Sequence, residues 1–98
     1  MSTPTEGSPE VPGASTPATR HAIADLSKRL GVAAGEIELV RVEEVVWRDG
    51  SLGCAEPGMM YTQALVDGSR VVLSANGRSY EYHAGGARKA FLCRNPTQ

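Results

Sequence analysis

The 98-residue sequence predicts an α+β fold: one N-terminal helix packed on a four- to five-stranded, mainly antiparallel sheet containing a β-meander. Three observations lead there. Apolar residues recur at helical spacing between positions 17 and 30, and the period changes to two from Glu36 onward. Beyond position 60, short β-forming runs alternate with the turn dipeptides Asp67-Gly68 and Asn76-Gly77.

The first sixteen residues read as a flexible tail or linker. Pro4, Pro9, Pro12, Gly7 and Gly13 punctuate the segment, and Met1 and Val11 are its sizeable apolar groups. So little burial cannot offset the entropy of ordering a chain. Residues 17–94 then form a single domain, near the size at which one core is only just sufficient, and 95–98 form a C-terminal tail.

Thr16 can cap the helix, Pro17 suits its first position, and Gly31 suits a left-handed stop. Ala22, Ile23, Leu26 and Leu30 make its apolar stripe, with Val32 folding back onto it and His21 half-buried beside it. From 36 to 47 runs a long first strand. Its alternation slips from one face to the other partway, which predicts a bulge near 41–44. After a loop, YTQALV (61–66), RVVLSA (70–75) and RSYEYH (78–83) read as a three-strand meander, turning at Asp67-Gly68 and, in a type I′ turn, at Asn76-Gly77. Gly85 and Gly86 read as a hinge before a short closing strand at Ala90, Phe91 and Leu92.

Ten basic and eleven acidic side chains give a formal charge of −1 without a basic stripe, so neither nucleic acid nor an anionic membrane surface is indicated. No 18-residue apolar run suggests membrane insertion, and the N-terminus lacks the basic and apolar regions of a secretory signal. Two cysteines do not define a disulfide framework and have no metal-knuckle spacing.

The loop SLGCAEPGMMY (51–61) interrupts the best strand-forming region. Asp49-Gly50 opens a turn, and Glu56-Pro57-Gly58-Met59 fits a type II turn, so the loop should be ordered. Leu52, Met59 and Met60 are apolar side chains in a surface segment: a contact surface on one reading, on the other a plug (Leu52) and the start of a strand (Met60). The candidate binding loop comprises Trp47, Asp49, Ser51, Leu52, Cys54, Pro57, Met59, Met60 and Tyr61.

The block WRDGSLGCAEPGMMYTQ, with Gly68 and the hairpin residues Tyr80, Tyr82 and His83, resembles an uncharacterised family of small bacterial proteins, many of them expected to be exported or lipid-anchored. The resemblance covers 23–93; the chain departs from it in lacking an export signal. It implies an α+β fold, an important loop and, through export, a Cys54–Cys93 disulfide tying the loop to the last strand; two reduced, buried cysteines are the alternative. Closing such a loop would stabilise by about 4 kcal/mol on the chain-entropy model. The element order is also similar to cystatin-like and PepSY-like folds, and its helix, strand, exposed loop, strand portion to the potato-inhibitor-I scaffold.

The first functional expectation is a non-enzymatic binding module that presents loop 48–61 to a protein partner, in its sharpest form a peptidase, with no cofactor. A small thiol enzyme or redox protein using Cys54, with His83 as base or Cys93 as resolving thiol, is the rival, and an accessory domain is the third reading. A metal site from Cys54, Cys93, His83 and His21 lacks paired ligands at short spacing, so none is expected. Ser51 with His83 and Asp49 or Asp67 is weaker still. Glu43 and Glu44 are adjacent and face opposite ways, which makes a poor acid–base pair. Tyr80 and Tyr82 share one face of the last hairpin, with Glu81 and His83 on the other.

Overall fold

The computed structural model describes residues 16–98; the expected tail at 1–16 lies, but for Thr16, outside them. Helix α1 spans Pro17–Leu30, a 3₁₀ turn spans Ala34–Glu36, and four strands follow: β1 Glu38–Trp47, β2 Val66–Ala75, β3 Arg78–Gly85 and β4 Arg88–Leu92. The strands form one antiparallel sheet in the order β1-β2-β3-β4, the expected α+β architecture.

Both helix ends carry the expected stops. The Thr16 side chain accepts from the Thr19 N–H, Pro17 opens the helix, and Gly31 closes it at φ 70°. Ala22 and Leu26 are fully buried against Val71, Leu73 and Tyr82, with Ile23, Leu30 and Val32 packed around them. Ser27 Oγ donates to the Val32 carbonyl at 2.5 Å and so holds the fold-back after the helix. The Tyr82 hydroxyl donates to Asp25 Oδ2 at 2.6 Å, adding a polar tie between helix and sheet. His21 is exposed rather than half-buried, because its neighbour Ala22 takes the inward position.

The Asn76-Gly77 turn joins β2 to β3 with both residues at positive φ, as a type I′ turn requires. The β1 irregularity falls between Leu39 and Arg41, at the edge of the expected 41–44 window.

A second expectation fails. Residues 61–65 form no strand, and Asp67-Gly68 makes no turn, for β2 runs through both from Val66. Gly68 pairs with Val45 on one side and Gly85 on the other. Pairing on both flanks keeps the backbone extended there. The glycine answers a packing demand instead: a Cβ at Gly68 would lie 2.4 Å from Trp47 Nε1 and 2.1 Å from the Ala84 carbonyl oxygen.

Candidate functional site

The sheet face away from α1 carries Trp47, Arg70, His83 and Phe91, which register alternation places together. The Trp47 ring fills the space left by Gly68 and donates from Nε1 to the Ala84 carbonyl at 2.9 Å. His83 is fully buried and stacks on Trp47 at a centroid distance of 4.5 Å. Arg70 covers the Trp47 ring at 5.3 Å and forks to Glu81 and Glu43, each at 2.9 Å, with a third bond to the Gln98 backbone oxygen. Hydrogen bonds from Arg70 and then Arg41 hold the Glu43 carboxyl below its ordinary range.

Both His83 nitrogens are engaged. Nδ1 lies 2.6 Å from the Leu52 carbonyl oxygen and Nε2 2.6 Å from Glu81 Oε2. A carbonyl only accepts, so Nδ1 carries a proton and donates it in a hydrogen bond to Leu52 O, while Nε2 faces the Glu81 carboxyl. His83 therefore fastens the loop to β3.

The loop grows from this anchor. The Gly50 N–H donates to the Thr62 carbonyl at 2.8 Å and closes a neck, giving a compact loop whose ends meet. Asp49 Oδ1 accepts from the Ser51 N–H and hydroxyl, and these bonds hold its carboxyl below the ordinary range. Leu52 takes φ 55°, a left-handed backbone that turns its side chain inward, and only 3% of it is exposed. A Cβ at Gly53, itself at φ 73°, would meet the Trp47 ring at 2.4 Å. Cys54 is bonded to Cys93, so the loop is joined to the end of β4.

Thr97 and Gln98 complete the brace. The Thr97 N–H donates to Gly53 O at 2.7 Å, and its hydroxyl accepts from the Ala55 N–H. The Gln98 amide donates to Val46 O and accepts from the Arg48 N–H, reproducing a strand neighbour on the outer edge of β1. Residues 97–98, expected in a tail, are thus docked on the loop.

The nine loop residues therefore divide. Trp47, Ser51 and Leu52 are buried, and Cys54 and Asp49 are part-buried, so these five build the loop rather than its surface. Leu52 is the plug of the two readings offered for it. Pro57, Met59 and Met60 are exposed; Met59 and Met60 retain 59% and 93% of their accessible area. The Glu56–Met59 turn forms with Gly58 at φ 84°, and the Tyr61 hydroxyl accepts from the Glu56 N–H. Beyond the candidate set, Leu65, just past the neck, is a further exposed apolar side chain at 73%.

Chemistry at this site is constrained by the same contacts. The Cys54 sulfur is held in a disulfide and both His83 nitrogens have partners, so neither half of the thiol–imidazole pair is free in this form. Among the described residues, no group of three or more His, Cys, Asp or Glu is placed to hold a metal, and no helix is long and apolar enough to cross a membrane.

Fold and site together define a small α+β domain with a disulfide-braced loop. The chain belongs to the family described as a domain of unknown function, DUF8738, whose model matches residues 19–93 and so takes in the helix from its third residue, all four strands and the whole loop. No curated protein and no solved structure matches the chain, and the cystatin-like, PepSY-like and potato-inhibitor-like resemblances rest on element order.

Proposed function

We propose that this domain is a non-enzymatic protein-binding module whose contact surface is the exposed segment 56–65. The observation that carries the reading is the contrast between that rim and its mount. Met59, Met60 and Leu65 are held in solvent, while Leu52, Gly53 and Cys54 just upstream are locked by His83, Trp47 and the disulfide. Apolar side chains on a preorganised loop lose little entropy on docking.

Peptidase inhibition is the sharpest form of the proposal, since a braced loop can occupy a protease cleft. The helix, strand, exposed loop, strand order similar to the potato-inhibitor-I scaffold supports it. A structural disulfide suits an oxidising compartment, which supports an exported protein.

The test is site-specific photo-crosslinking in an extract of the source cells, with the crosslinker at position 60 and, as a control, at position 40 on the opposite edge of the sheet. A discrete product from position 60, competed by the wild type but not by the Met59→Ala/Met60→Ala protein, supports the reading. Equal labelling from both positions contradicts it. Titration against one peptidase of each mechanistic class decides the inhibitor form: if none loses activity at stoichiometric protein, that form falls.

A further inference from the structure

We infer that the outer edge of β4 takes up an extended, carboxylate-bearing peptide segment, in the cleft between the last turn of α1 and the loop. The inference rests on the binding-module reading and names the chemistry of the partner. Strand β4 is last in the sheet, and among the described residues nothing pairs with its outer side. The Cys93 N–H donates inward to the Glu81 carbonyl, so strand alternation turns the N–H and C=O of its neighbour Leu92 outward. Such groups are satisfied by an added strand, and a helix brings none to match them.

The walls select what that strand carries. A cavity of about 590 Å³ runs beside Phe91 and Leu92, with Arg29 on the helix side and Pro57, Met59 and Tyr61 on the loop side. Arg88 lies 3.8 Å over the Phe91 ring, and Arg88 and Arg94 face the cavity with Glu56 as the one acidic lining residue, while Arg29, which also lines it, is already paired with Asp25. On a chain of formal charge −1 this is a local cationic cluster. Guanidinium groups bind carboxylates through paired N–H donors, and side chains of a strand alternate between two sides. A segment with alternating acidic and apolar residues would set its carboxylates on Arg88 and Arg94 and its apolar groups on Phe91 and Met59.

The experiment is an amide NMR titration of the full chain with a short acetylated peptide of alternating Glu and Val, against the same peptide with Gln for Glu. The expected result is a shift and slowed hydrogen exchange of the Leu92 amide with the Glu peptide, and binding weakened at least about tenfold by Gln in the peptide or by R88Q/R94Q in the protein. R94Q, which leaves the Arg88–Phe91 contact intact, should weaken binding in the same direction. Undisturbed His83 ring signals establish that the variants are folded. Equal binding of both peptides, or no response at Leu92, overturns the inference. So does sedimentation showing a dimer that already protects Leu92, since a second copy would then occupy the edge. Responses confined to 59–65 would overturn it while leaving the binding-module reading standing; that reading falls separately, on the crosslinking at position 60.

Discussion

His83 stacks on Trp47 across the β1–β2–β3 surface, centroids 4.5 Å apart and planes 24° from parallel, and donates a hydrogen bond from Nδ1 to the Leu52 carbonyl. This pair converts the sheet into a mount for the loop. In His83→Phe an aromatic ring is kept while Leu52 O loses its partner and Glu81 keeps Arg70 alone, so the variant should lose about 1–3 kcal/mol in urea unfolding. Combined with Glu81→Gln, the two losses should be non-additive by at least about 0.5 kcal/mol, because the two side chains are in direct contact, His83 Nε2 lying 2.6 Å from Glu81 Oε2. Strict additivity would show that the two side chains act independently.

Gly68 tests the packing beneath that stack. A methyl group there meets Trp47 Nε1 and the Ala84 carbonyl at 2.4 and 2.1 Å, so Gly68→Ala should cost at the upper end of about 1–3 kcal/mol. Gly35→Ala, where a Cβ meets nothing within 4 Å, is the matched control and should change the urea midpoint little. Comparable midpoints for the two variants would argue against the Trp47 placement.

Leu52 and Met60 separate mount from surface. Leu52→Ala empties a buried site and should cost about 2–5 kcal/mol, whereas Met60→Ala should stay within about 0.5 kcal/mol and act on binding. A neutral Leu52→Ala would mean that the plug is not needed.

Opposite pH limbs are expected from the helix–sheet tie. Desolvation raises the Asp25 carboxyl, but hydrogen bonds from Tyr82 and Arg29 outweigh it and the net shift is below 3.8. A depressed carboxyl binds its proton less readily folded than unfolded, so its stabilisation is present above pH 3.8 and is lost as pH falls through the folded value. Burial, and then the Asp25 carboxylate, raise the Tyr82 phenol above 10.0. Its contribution is full below pH 10.0 and declines as pH rises past it, where the unfolded tyrosine ionises first. Tyr82→Phe should flatten the alkaline fall in the urea midpoint and, by removing a donor to Asp25, soften the acid one. Unchanged limbs in that variant would place the pH dependence elsewhere.

Local signals were legible where one residue type carries one backbone demand. Thr16, Pro17 and Gly31 bracket the helix, and Asn76, Gly77 and Gly58 take the positive φ values their turns need. Asp67-Gly68 shows the limit of that reasoning. The same letters that mark a turn here mark a close approach, because Trp47, about twenty residues earlier in the chain, lies across Gly68. A period-two reading carried through the dipeptide would have placed Val66, Gly68, Arg70 and Val72 on one face. Long-range pairs such as His83 with Leu52 O, Arg70 with Glu43 and Gln98 with Val46 leave no local periodicity, and the sequence reading missed them. The loop's order and its turns were legible as a segment, but its division into buried and exposed residues was not: Leu52 is buried on a left-handed backbone, which nothing in a leucine announces.

The brace itself is tested most directly by counting thiols. Protein unfolded in denaturant without reductant is treated with an alkylating reagent and its intact mass measured, before and after reduction. A Cys54–Cys93 bond predicts no added mass before reduction and two alkyl groups after it. Two alkyl groups without reduction would contradict the bond, leaving His83 and the 97–98 segment as the loop's remaining anchors.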